Sequence, residues 1–398
     1  MAKTYKNLWS EIITFENLLL AAKKAQKGKR FKNNVARFNL NLEKELFKIQ
    51  KDLIDKTYIP GAYKEFIIYE PVKRLISAAP YRDRVVHHAL CNIIEPLFEK
   101  SFIYDSYANR KEKGTHRAIE RFNRYMQKYR YVLKCDIKKY FPSIDHELLY
   151  DILKGKIADR DVLWLIWTII KNSNPQEMVC NYFDGDDLFT PYERNKGLPI
   201  GNLTSQFFGN VYLNSFDHFI KDNLGCKAYL RYVDDFAVFG NNKEQLWEIK
   251  KQMDEYLQKL RLKLHSKKTR VFPVKNGCEF LGFYIYQYIR KVKKANVRSF
   301  ERRLKAMEIA FRKHKISLDE IGKSVQGWIA HVRYANSYKL RKRIFEKHLF
   351  WKYNFRGEVN KTVSFAAVHG TIMRGTHAQQ IATGTIPTTA TTTTGFVS

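Results

Sequence analysis

Apolar residues recur at intervals of three and four positions through much of the chain, which is the pattern of helices that bury one face. The clearest case predicts a helix over 38–53, where the apolar positions run from Phe38 to Leu53. The same pattern predicts a helix that begins near residue 146 and further helices over 83–98, 116–129, 158–172, 203–223 and 243–260. Asn241 and Asn242 precede the last of these as candidate caps.

Short runs of β-branched and aromatic residues lie between these helices and predict strands. YVLKCDI (131–137) is one such run, and CEFLGFYIY (278–286) is another. AYLRYV and FAVFG flank an Asp-Asp turn at 234–235 and predict a hairpin. Few strands among many helices favour an α+β fold, with a small antiparallel sheet backed by helices.

The C-terminal part of the chain has a different character from the centre. From about residue 295 the pattern is helical and strongly basic through Trp351. Residues 356–398 are Thr-rich and show no periodicity, so we expect a poorly ordered tail there. The pattern thus predicts a helical N-terminal region, an α+β centre and a basic helical C-terminal region.

The charge balance indicates the kind of partner. The chain carries 71 Lys and Arg against 40 Asp and Glu, a net charge of +31. Because neutralising phosphates releases condensed counterions, this charge favours a polyanion such as a nucleic acid as the partner. A ribosomal, chromatin or membrane-surface protein is compatible with the same charge. Hydrophobic residues make up 44% of the chain, which is typical of a folded protein.

Cysteine usage and hydropathy indicate the compartment. The five cysteines are scattered without zinc-type spacing, and we expect buried thiols in a reducing environment. The N-terminus has no signal-peptide pattern, and no apolar run reaches membrane-spanning length. We therefore expect a soluble, cytoplasmic protein with no membrane partner.

Three aspartates are the candidate chemical groups. Asp234 and Asp235 lie in the predicted hairpin turn, and Asp136 ends the predicted strand at 131–137. A solvated turn would accept two aspartates for local hydrogen-bonding reasons alone. Together with Asp136 and the Ile137 carbonyl, Asp234 and Asp235 could instead bind two divalent ions about 3.5–4 Å apart. Nucleotidyl transfer needs such a pair of ions. Mg²⁺ prefers such oxygen ligands, and Mn²⁺ is an alternative.

YVDD at 232–235 and DIKKYF at 136–141 resemble the catalytic motifs of reverse transcriptases, and the resemblance extends over most of residues 60–350. It implies an RNA-directed DNA polymerase, a nucleotidyltransferase with a right-hand fold and a two-metal mechanism. The catalytic and metal-binding residues would be Asp136, Ile137, Asp234 and Asp235. The implied domains are N-terminal helices and fingers (1–130), a palm (131–290) with a fingers segment inserted at about 155–200, and a helical thumb (291–355).

The resemblance also implies roles for residues outside these motifs. Phe141 would exclude a 2′-hydroxyl, and Lys268 would act near the leaving pyrophosphate. The full set of implied nucleotide contacts is Arg74, Lys73, Phe141, Gln206 and Lys268. The implied template and primer contacts are Arg110, Lys111, Lys113, Ile200, Ser205, Leu281 and Gly282. Each role has a structural alternative: Phe141 as a core aromatic, the basic residues as solvated charges, and 281–282 as part of a core strand.

The segment GLPIGNLTSQ (197–206) lacks the Pro-Gln-Gly that many reverse transcriptases carry there. It resembles the enzymes of diversity-generating retroelements. That likeness implies copying of a retroelement template RNA with errors at adenines, followed by mutagenic retrohoming. The implied partners are the template RNA, the RNA–DNA hybrid, deoxynucleoside triphosphates and a small basic helical accessory protein. Two alternatives stay open: a retron, group II intron or phage-defence reverse transcriptase, and a non-catalytic RNA-binding protein with a polymerase-like fold.

Overall fold

The computed structural model describes residues 4–69, 74–173, 177–347, 349–353 and 359–364. Its N-terminal part is mostly helical, and one antiparallel hairpin, β1–β2, interrupts the helices. The predicted helix over 38–53 is broken at Asn41, whose backbone leaves the helical region with φ −120° and ψ 37°. The elements are α1 (Trp9–Ile12), α2 (Phe15–Ala25), α3 (Asn33–Leu40), α4 (Leu42–Ile54), β1 (Lys64–Ile68), β2 (Arg74–Ala78), α5 (Tyr81–Glu99) and α6 (Thr115–Lys128).

A four-stranded antiparallel sheet, here called the central sheet, lies in the middle of the chain. Its order is β4-β5-β3-β6, formed by β3 (Tyr131–Asp136), β4 (Tyr229–Tyr232), β5 (Asp235–Gly240) and β6 (Arg270–Pro273). β3 and β5 are the inner strands, and their side chains at Val132, Leu133, Phe236 and Ala237 are fully buried. The predicted small antiparallel sheet and the predicted hairpin are therefore confirmed.

Helices fill the connections between these strands. The predicted helices over 158–172 and 243–260 are confirmed, and Asn242 caps the second by accepting a hydrogen bond from the Gln245 amide at 2.9 Å. The predicted helix over 203–223 is interrupted at Leu213 and ends in a π-helical turn, Phe219–Asn223. The helices are α7 (Tyr140–Ser143), α8 (His146–Lys154), α9 (Arg160–Lys171), α10 (Thr190–Glu193), α11 (Leu203–Tyr212), α12 (Asn214–His218) and α13 (Lys243–Lys259).

The predicted strand over 278–286 is two strands, because Leu281 and Gly282 both have positive φ, +48° and +87°. The predicted helical region ends at Lys347, and Trp351 lies instead on a strand paired antiparallel with a second one. Aromatic residues in LFWKY favour a strand. The elements are β7 (Cys278–Phe280), β8 (Phe283–Ile285), β9 (Arg290–Val292), α14 (Lys294–Arg312), α15 (Leu318–Val332), α16 (Tyr338–Lys347), β10 (Leu349–Tyr353) and β11 (Val359–Ser364).

The part of the chain that the structure describes forms two compact units. The first comprises Met1–Leu281 with Ile285–Tyr288 and contains the central sheet, and the second comprises Gly282–Tyr284 with Ile289–Ser398. The second unit has its own core, in which the rings of Phe300 and Trp328 stack 3.9 Å apart. Of the tail expected to be poorly ordered, 359–364 forms β11, and the rest lies outside the described residues. Among the described helices, none combines the length and apolar character that crossing a membrane requires.

Candidate active site

Strand pairing brings the first two acids together. Asp136 ends β3 and Asp235 begins β5, and these two residues are direct partners in the antiparallel register. The Ile137 amide extends this pairing by donating to the Asp234 carbonyl at 3.1 Å. Because directly opposed side chains on one face have Cβ atoms about 4.5–5.5 Å apart, the carboxylates of Asp136 and Asp235 share one end of the central sheet.

The β4–β5 turn is one residue earlier than the sequence pattern predicts. Val233 and Asp234 form the turn, and Asp235 already belongs to β5. Val233 has φ +59°, a left-handed conformation that β-branched residues rarely adopt. Such a backbone costs about 1–3 kcal/mol and persists only where the surroundings impose it. The strain therefore lies at the residue that precedes Asp234.

A buried ion pair stands beside this turn. Arg231, on β4, and Asp217, on α12, have fully buried side chains and make two hydrogen bonds, from Nε at 2.7 Å and from Nη2 at 2.6 Å. The Arg231 Nη1 donates to the Val233 carbonyl at 3.0 Å. No motif in the sequence marks this pair as functional. A charged residue inside the apolar run AYLRYV was nevertheless a visible signal, because buried charges are nearly always paired.

The electrostatics of Asp234 reflect burial beside a second acid. Burial raises the pKa of its carboxyl group, and the neighbouring Asp136 carboxylate raises it further. Lys268 and Arg74 act in the opposite direction and favour the ionised form. A cation beside the two acids would likewise favour the ionised form of Asp234. Arg74, on β2, is thus close enough to Asp234 to influence it.

Two lysines contact the other acids. The Lys268 Nζ lies 3.0 Å from each carboxylate oxygen of Asp136. Lys134, two residues before Asp136 on β3, contacts an Asp235 carboxylate oxygen, and burial lowers the pKa of its ammonium group. Within the part of the chain that the structure describes, no three acidic, histidine or cysteine side chains converge on a single point. The carboxylate oxygens of Asp136 and Asp235 therefore contact lysines.

The oxygen atoms at this end of the central sheet are suitable ligands for a hard divalent cation. Asp136, Asp234 and Asp235 offer carboxylate oxygens, the ligands that Mg²⁺ prefers. Asp136 and Asp234 are half-buried, and a cation between them would offset their mutual repulsion. The three acids therefore offer the kind of oxygen donor that a magnesium site needs, although in the described part of the chain their side chains do not converge on one point.

Phe141 is half-buried and packs against α11. A Cβ added at Gly209 would lie 3.2 Å from its ring, and the neighbouring Tyr140 hydroxyl donates to the Gly209 carbonyl at 2.5 Å. The Leu198 amide donates to the Phe141 carbonyl at 2.9 Å. The ring therefore depends on the absence of a side chain at residue 209, a requirement that the sequence alone did not reveal.

The segment before α11 is fastened to the strand that carries Arg74. The Ser77 amide donates to the Ile200 carbonyl at 3.1 Å. Asn202 links to the same strand end, since its Oδ1 accepts from the Ala79 amide and its Nδ2 donates to the Ser77 carbonyl, both at 3.2 Å. Gly201 has φ +120°, and a Cβ there would lie 2.9 Å from the Ile76 side chain.

The remaining predicted nucleotide and template residues differ in accessibility. Ser205 is buried, Gln206 and Ile200 are half-buried and Arg74 is exposed, whereas Lys73 lies outside the described residues. Gly282 adjoins Asn296, whose Nδ2 would lie 3.0 Å from an added Cβ. Leu281, like Gly282, has a positive φ. The predicted contact of each with nucleic acid remains a prediction.

The three basic residues of the loop at 104–114 differ in their contacts and exposure. Arg110 has a side chain only 6% exposed, and its guanidinium binds Glu99 and the carbonyls of Ile103 and Ser106 at 2.6–3.0 Å. Lys113 lies 3.3 Å over the ring of Tyr104. Lys111 is exposed. Arg110 therefore anchors the loop, and Lys111 is the residue of the three best placed to meet a phosphate.

Comparison with known proteins gives the family. The chain matches the model of the reverse transcriptase (RNA-dependent DNA polymerase) family over residues 71–285, more than half of its 398 residues. It is 25% identical over 298 residues to "Protein YkfC" of Escherichia coli (strain K12), an alignment that covers 65% of this chain and 74% of that protein.

Two further relatives are proteins named for introns. The group II intron-encoded protein LtrA of Lactococcus lactis subsp. cremoris is 23% identical over 310 residues, which cover 61% of this chain and 50% of that protein. The putative COX1/OXI3 intron 2 protein of Saccharomyces cerevisiae is 23% identical over 212 residues, 50% of this chain and 22% of that protein. The chain thus spans half or less of these two relatives. Asp136, Asp234 and Asp235 lie inside the matched segment, and the chain belongs to the reverse transcriptase family.

Proposed function

We propose that this protein is an RNA-directed DNA polymerase that extends a primer end on an RNA template through Asp136, Asp234 and Asp235. The observation that carries the proposal is the register of β3 with β5, which opposes Asp136 to Asp235 and sets the half-buried Asp234 beside them. Mg²⁺ is the proposed cofactor, with Mn²⁺ as a substitute, and two ions when bound would activate the attacking 3′-hydroxyl and the leaving group.

The protein's own residues would divide the other tasks. Asp136, Asp234, Asp235 and the Ile137 carbonyl would hold the ions. Lys268, which is 58% exposed and reaches the Asp136 carboxylate, would donate a proton near the leaving pyrophosphate. Arg74, whose charge acts on Asp234, would bind the triphosphate, since a guanidinium matches phosphate oxygens in a bidentate fork. Lys73 would assist it.

The pocket for the new base pair would be formed around α11 and the segment before it. Phe141 would exclude a 2′-hydroxyl, and Gln206 with Ile200 would face the nascent pair. Ser205, being buried, would act by fixing α11. In this proposal residues 1–130 supply N-terminal helices and fingers, 131–290 the palm with a fingers insertion at about 155–200, and 291–355 the thumb.

Nucleic acid would be held largely through its phosphates. The net charge of +31 supplies the attraction, and the basic helices α14, α15 and α16 would follow the minor groove of an RNA–DNA hybrid. Lys111 and Lys113 would meet template phosphates, and the left-handed backbone at Leu281–Gly282 would approach the primer.

The finer class we propose is a diversity-generating retroelement enzyme, which copies its template RNA with errors at adenines and works with a small basic accessory protein. Ile200-Gly201 in place of Pro-Gln-Gly supports it. The second candidate is a group II intron-type enzyme, favoured by the similarity to LtrA. Copying a defined RNA and sequencing the product separates them, because only the first predicts substitutions concentrated at template adenines.

Primer extension on an RNA template tests the polymerase proposal. Purified full-length protein with Mg²⁺ and four deoxynucleotides is expected to make cDNA, and the double variant Asp234→Asn, Asp235→Asn to lose at least about a thousandfold in rate, since ligand acids carry transition-state charge stabilisation. Asp222→Asn changes an acid that is 67% exposed on the π-helical turn and is the matched control. Synthesis that survives the double change would remove the metal assignment.

A further inference from the structure

Arg231 is a charged residue in the interior of the first unit, near the catalytic turn. Its side chain and that of its partner Asp217 are both 0% exposed. Burial opposes the charge of the guanidinium, but the adjacent carboxylate of Asp217 more than compensates and raises its pKa above the usual value. A buried ion pair contributes little to stability compared with well-packed apolar side chains. The position therefore invites a functional explanation.

One donor of Arg231 reaches the strained turn. The Nη1 donates to the Val233 carbonyl at 3.0 Å. That carbonyl belongs to the peptide group joining Val233 to Asp234, and Val233 has φ +59°. Fixing this peptide group fixes the direction in which the Asp234 backbone leaves the turn. Arg231 thus donates a hydrogen bond to this carbonyl and holds Val233 in a backbone conformation that valine rarely adopts.

The other contacts of Arg231 hold it in place. Asp217 accepts two of its hydrogen bonds and is itself held by the Tyr229 hydroxyl, which donates at 2.6 Å. The Asn210 Oδ1 accepts a further bond from Nη1 at 3.3 Å. The Arg231 backbone donates to the Asp105 carbonyl at 2.9 Å. α11, α12 and the loop at 105–108 therefore all converge on this one guanidinium and its backbone.

We propose that Arg231 is a positioning residue of the polymerase reaction, which holds the Val233–Asp234 peptide so that the Asp234 carboxylate faces Asp136 as a divalent-cation ligand. The inference rests on the proposed function, because it assigns Arg231 to that same site. Arg231 itself touches neither substrate nor metal. A lysine could keep the charge opposite Asp217, but it could not donate to both Asp217 oxygens and the Val233 carbonyl in one planar fork.

The test compares Arg231→Lys with a matched exchange at another buried pair. Arg194 binds Asp186 at 2.5 Å, and their side chains are 8% and 6% exposed. Among the described residues, the other hydrogen-bond and ion-pair partners of these two side chains are Asp145 and the Phe183 amide, not the turn. The first measurement is the Mn²⁺ affinity of the full chain without nucleic acid. Electron paramagnetic resonance of the free ion gives this affinity independently of turnover. Primer extension then gives kcat, the KM for deoxynucleotides and the half-saturating Mg²⁺ concentration.

We expect Arg231→Lys to weaken Mn²⁺ binding and to raise half-saturating Mg²⁺ by about tenfold, the cost typical of losing a residue that orients a metal ligand. The kcat should fall while the KM for deoxynucleotides stays within about twofold, because the triphosphate contacts are elsewhere. Arg194→Lys should leave Mn²⁺ binding at the wild-type value. Equal Mn²⁺ affinities for wild type and a folded Arg231→Lys protein would overturn the proposal.

A second substitution tests the link through Val233. Glycine adopts positive φ without strain, so Val233→Gly should recover at least about threefold of the Mn²⁺ affinity lost by Arg231→Lys. Added to Arg194→Lys, it should give no gain. The role assigned to Arg231 is contradicted if Val233→Gly raises the Mn²⁺ affinity equally in the Arg231→Lys and Arg194→Lys proteins. It is also contradicted if the affinity rises in neither.

Tyr229→Phe keeps the proposal testable if Arg231→Lys does not fold. It removes only the hydroxyl that holds Asp217, and it should weaken Mn²⁺ binding by about two- to threefold; unchanged binding would count against the proposal. Failure of the proposed function is recognised separately, since a wild-type protein that binds Mn²⁺ and makes no cDNA rejects the polymerase assignment whatever the variants do.

Discussion

Single residues at the end of the central sheet set the character of the site. Asp136 and Asp235 were expected to approach each other because the sequence placed one at a strand end and the other at a hairpin. Their direct register confirms the strands that carry them. The Arg231–Asp217 pair was not expected, because its two members come from a strand and a helix whose packing no local pattern specifies.

Asp234 should make the stability of the metal-free protein depend on pH. Its folded pKa is raised, so between the ordinary carboxyl pKa of about 3.9 and that raised value the folded protein binds more protons, and the free energy of unfolding falls as pH rises. In EDTA above this window, Asp234→Asn should therefore melt about 2–4 °C higher than wild type.

Thermal unfolding in EDTA at a series of pH values measures this difference. It should vanish below about pH 4, where Asp234 is protonated in both the folded and unfolded chain. Saturating Mg²⁺ should raise the Tm of wild type by mass action and that of the variant much less. Asp222→Asn, an exposed acid in the same unit, is the control. If wild type melts at a higher temperature than Asp234→Asn in EDTA at neutral pH, the ionised Asp234 carboxylate does not destabilise the metal-free protein, and the prediction is wrong.

Among the elements, those with strong local periodicity were predictable and those fixed by distant partners were not. α5, α6, α9 and α13 follow their apolar spacing closely, and the β4–β5 hairpin follows its aromatic runs. β1 is exposed along its whole length, so no alternation of buried and exposed positions marked it. β10 carries the aromatic residues of a strand, but the basic helical pattern continues to Trp351, and the pairing with β11 decides between the two.

The bond between β2 and the segment before α11 leads to a prediction at this scale. Gly201→Ala would place a Cβ 2.9 Å from the Ile76 side chain at φ +120°. The Ile76 side chain on β2, the strand that carries Arg74, or the segment at residue 201 must then shift. We expect the KM for deoxynucleotides to rise by about tenfold, a loss of about 1.4 kcal/mol in binding, because Arg74 on β2 is the proposed triphosphate contact.

Gly185→Ala is the matched control for that substitution. Gly185 also has positive φ (+88°), but an added Cβ would meet nothing within 4 Å. It should lower the Tm through backbone strain alone and leave the KM unchanged. Steady-state kinetics with thermal melts separates the two effects. Equal KM values for the two alanine variants would show that β2 is not held by this contact.

At the scale of the whole molecule, the net charge of +31 predicts how nucleic acid binds. Contacts with six to ten phosphates would lower the affinity for an RNA–DNA hybrid by about 10³–10⁵ between 50 and 200 mM salt. Fluorescence anisotropy with a labelled hybrid over this range gives the slope of log affinity against log salt. A slope near zero would show that the basic surfaces do not contact phosphates.

The proposed polymerase activity requires that Asp136 and Asp234 share divalent ions at the primer end. The most direct measurement is a crystal of the protein with an RNA–DNA primer-template, a non-reactive deoxynucleotide and Mn²⁺, analysed by anomalous scattering. We predict two Mn²⁺ peaks about 3.5–4 Å apart, both in contact with Asp136 and Asp234. Peaks that avoid these carboxylates, with nucleotide bound, would contradict the account.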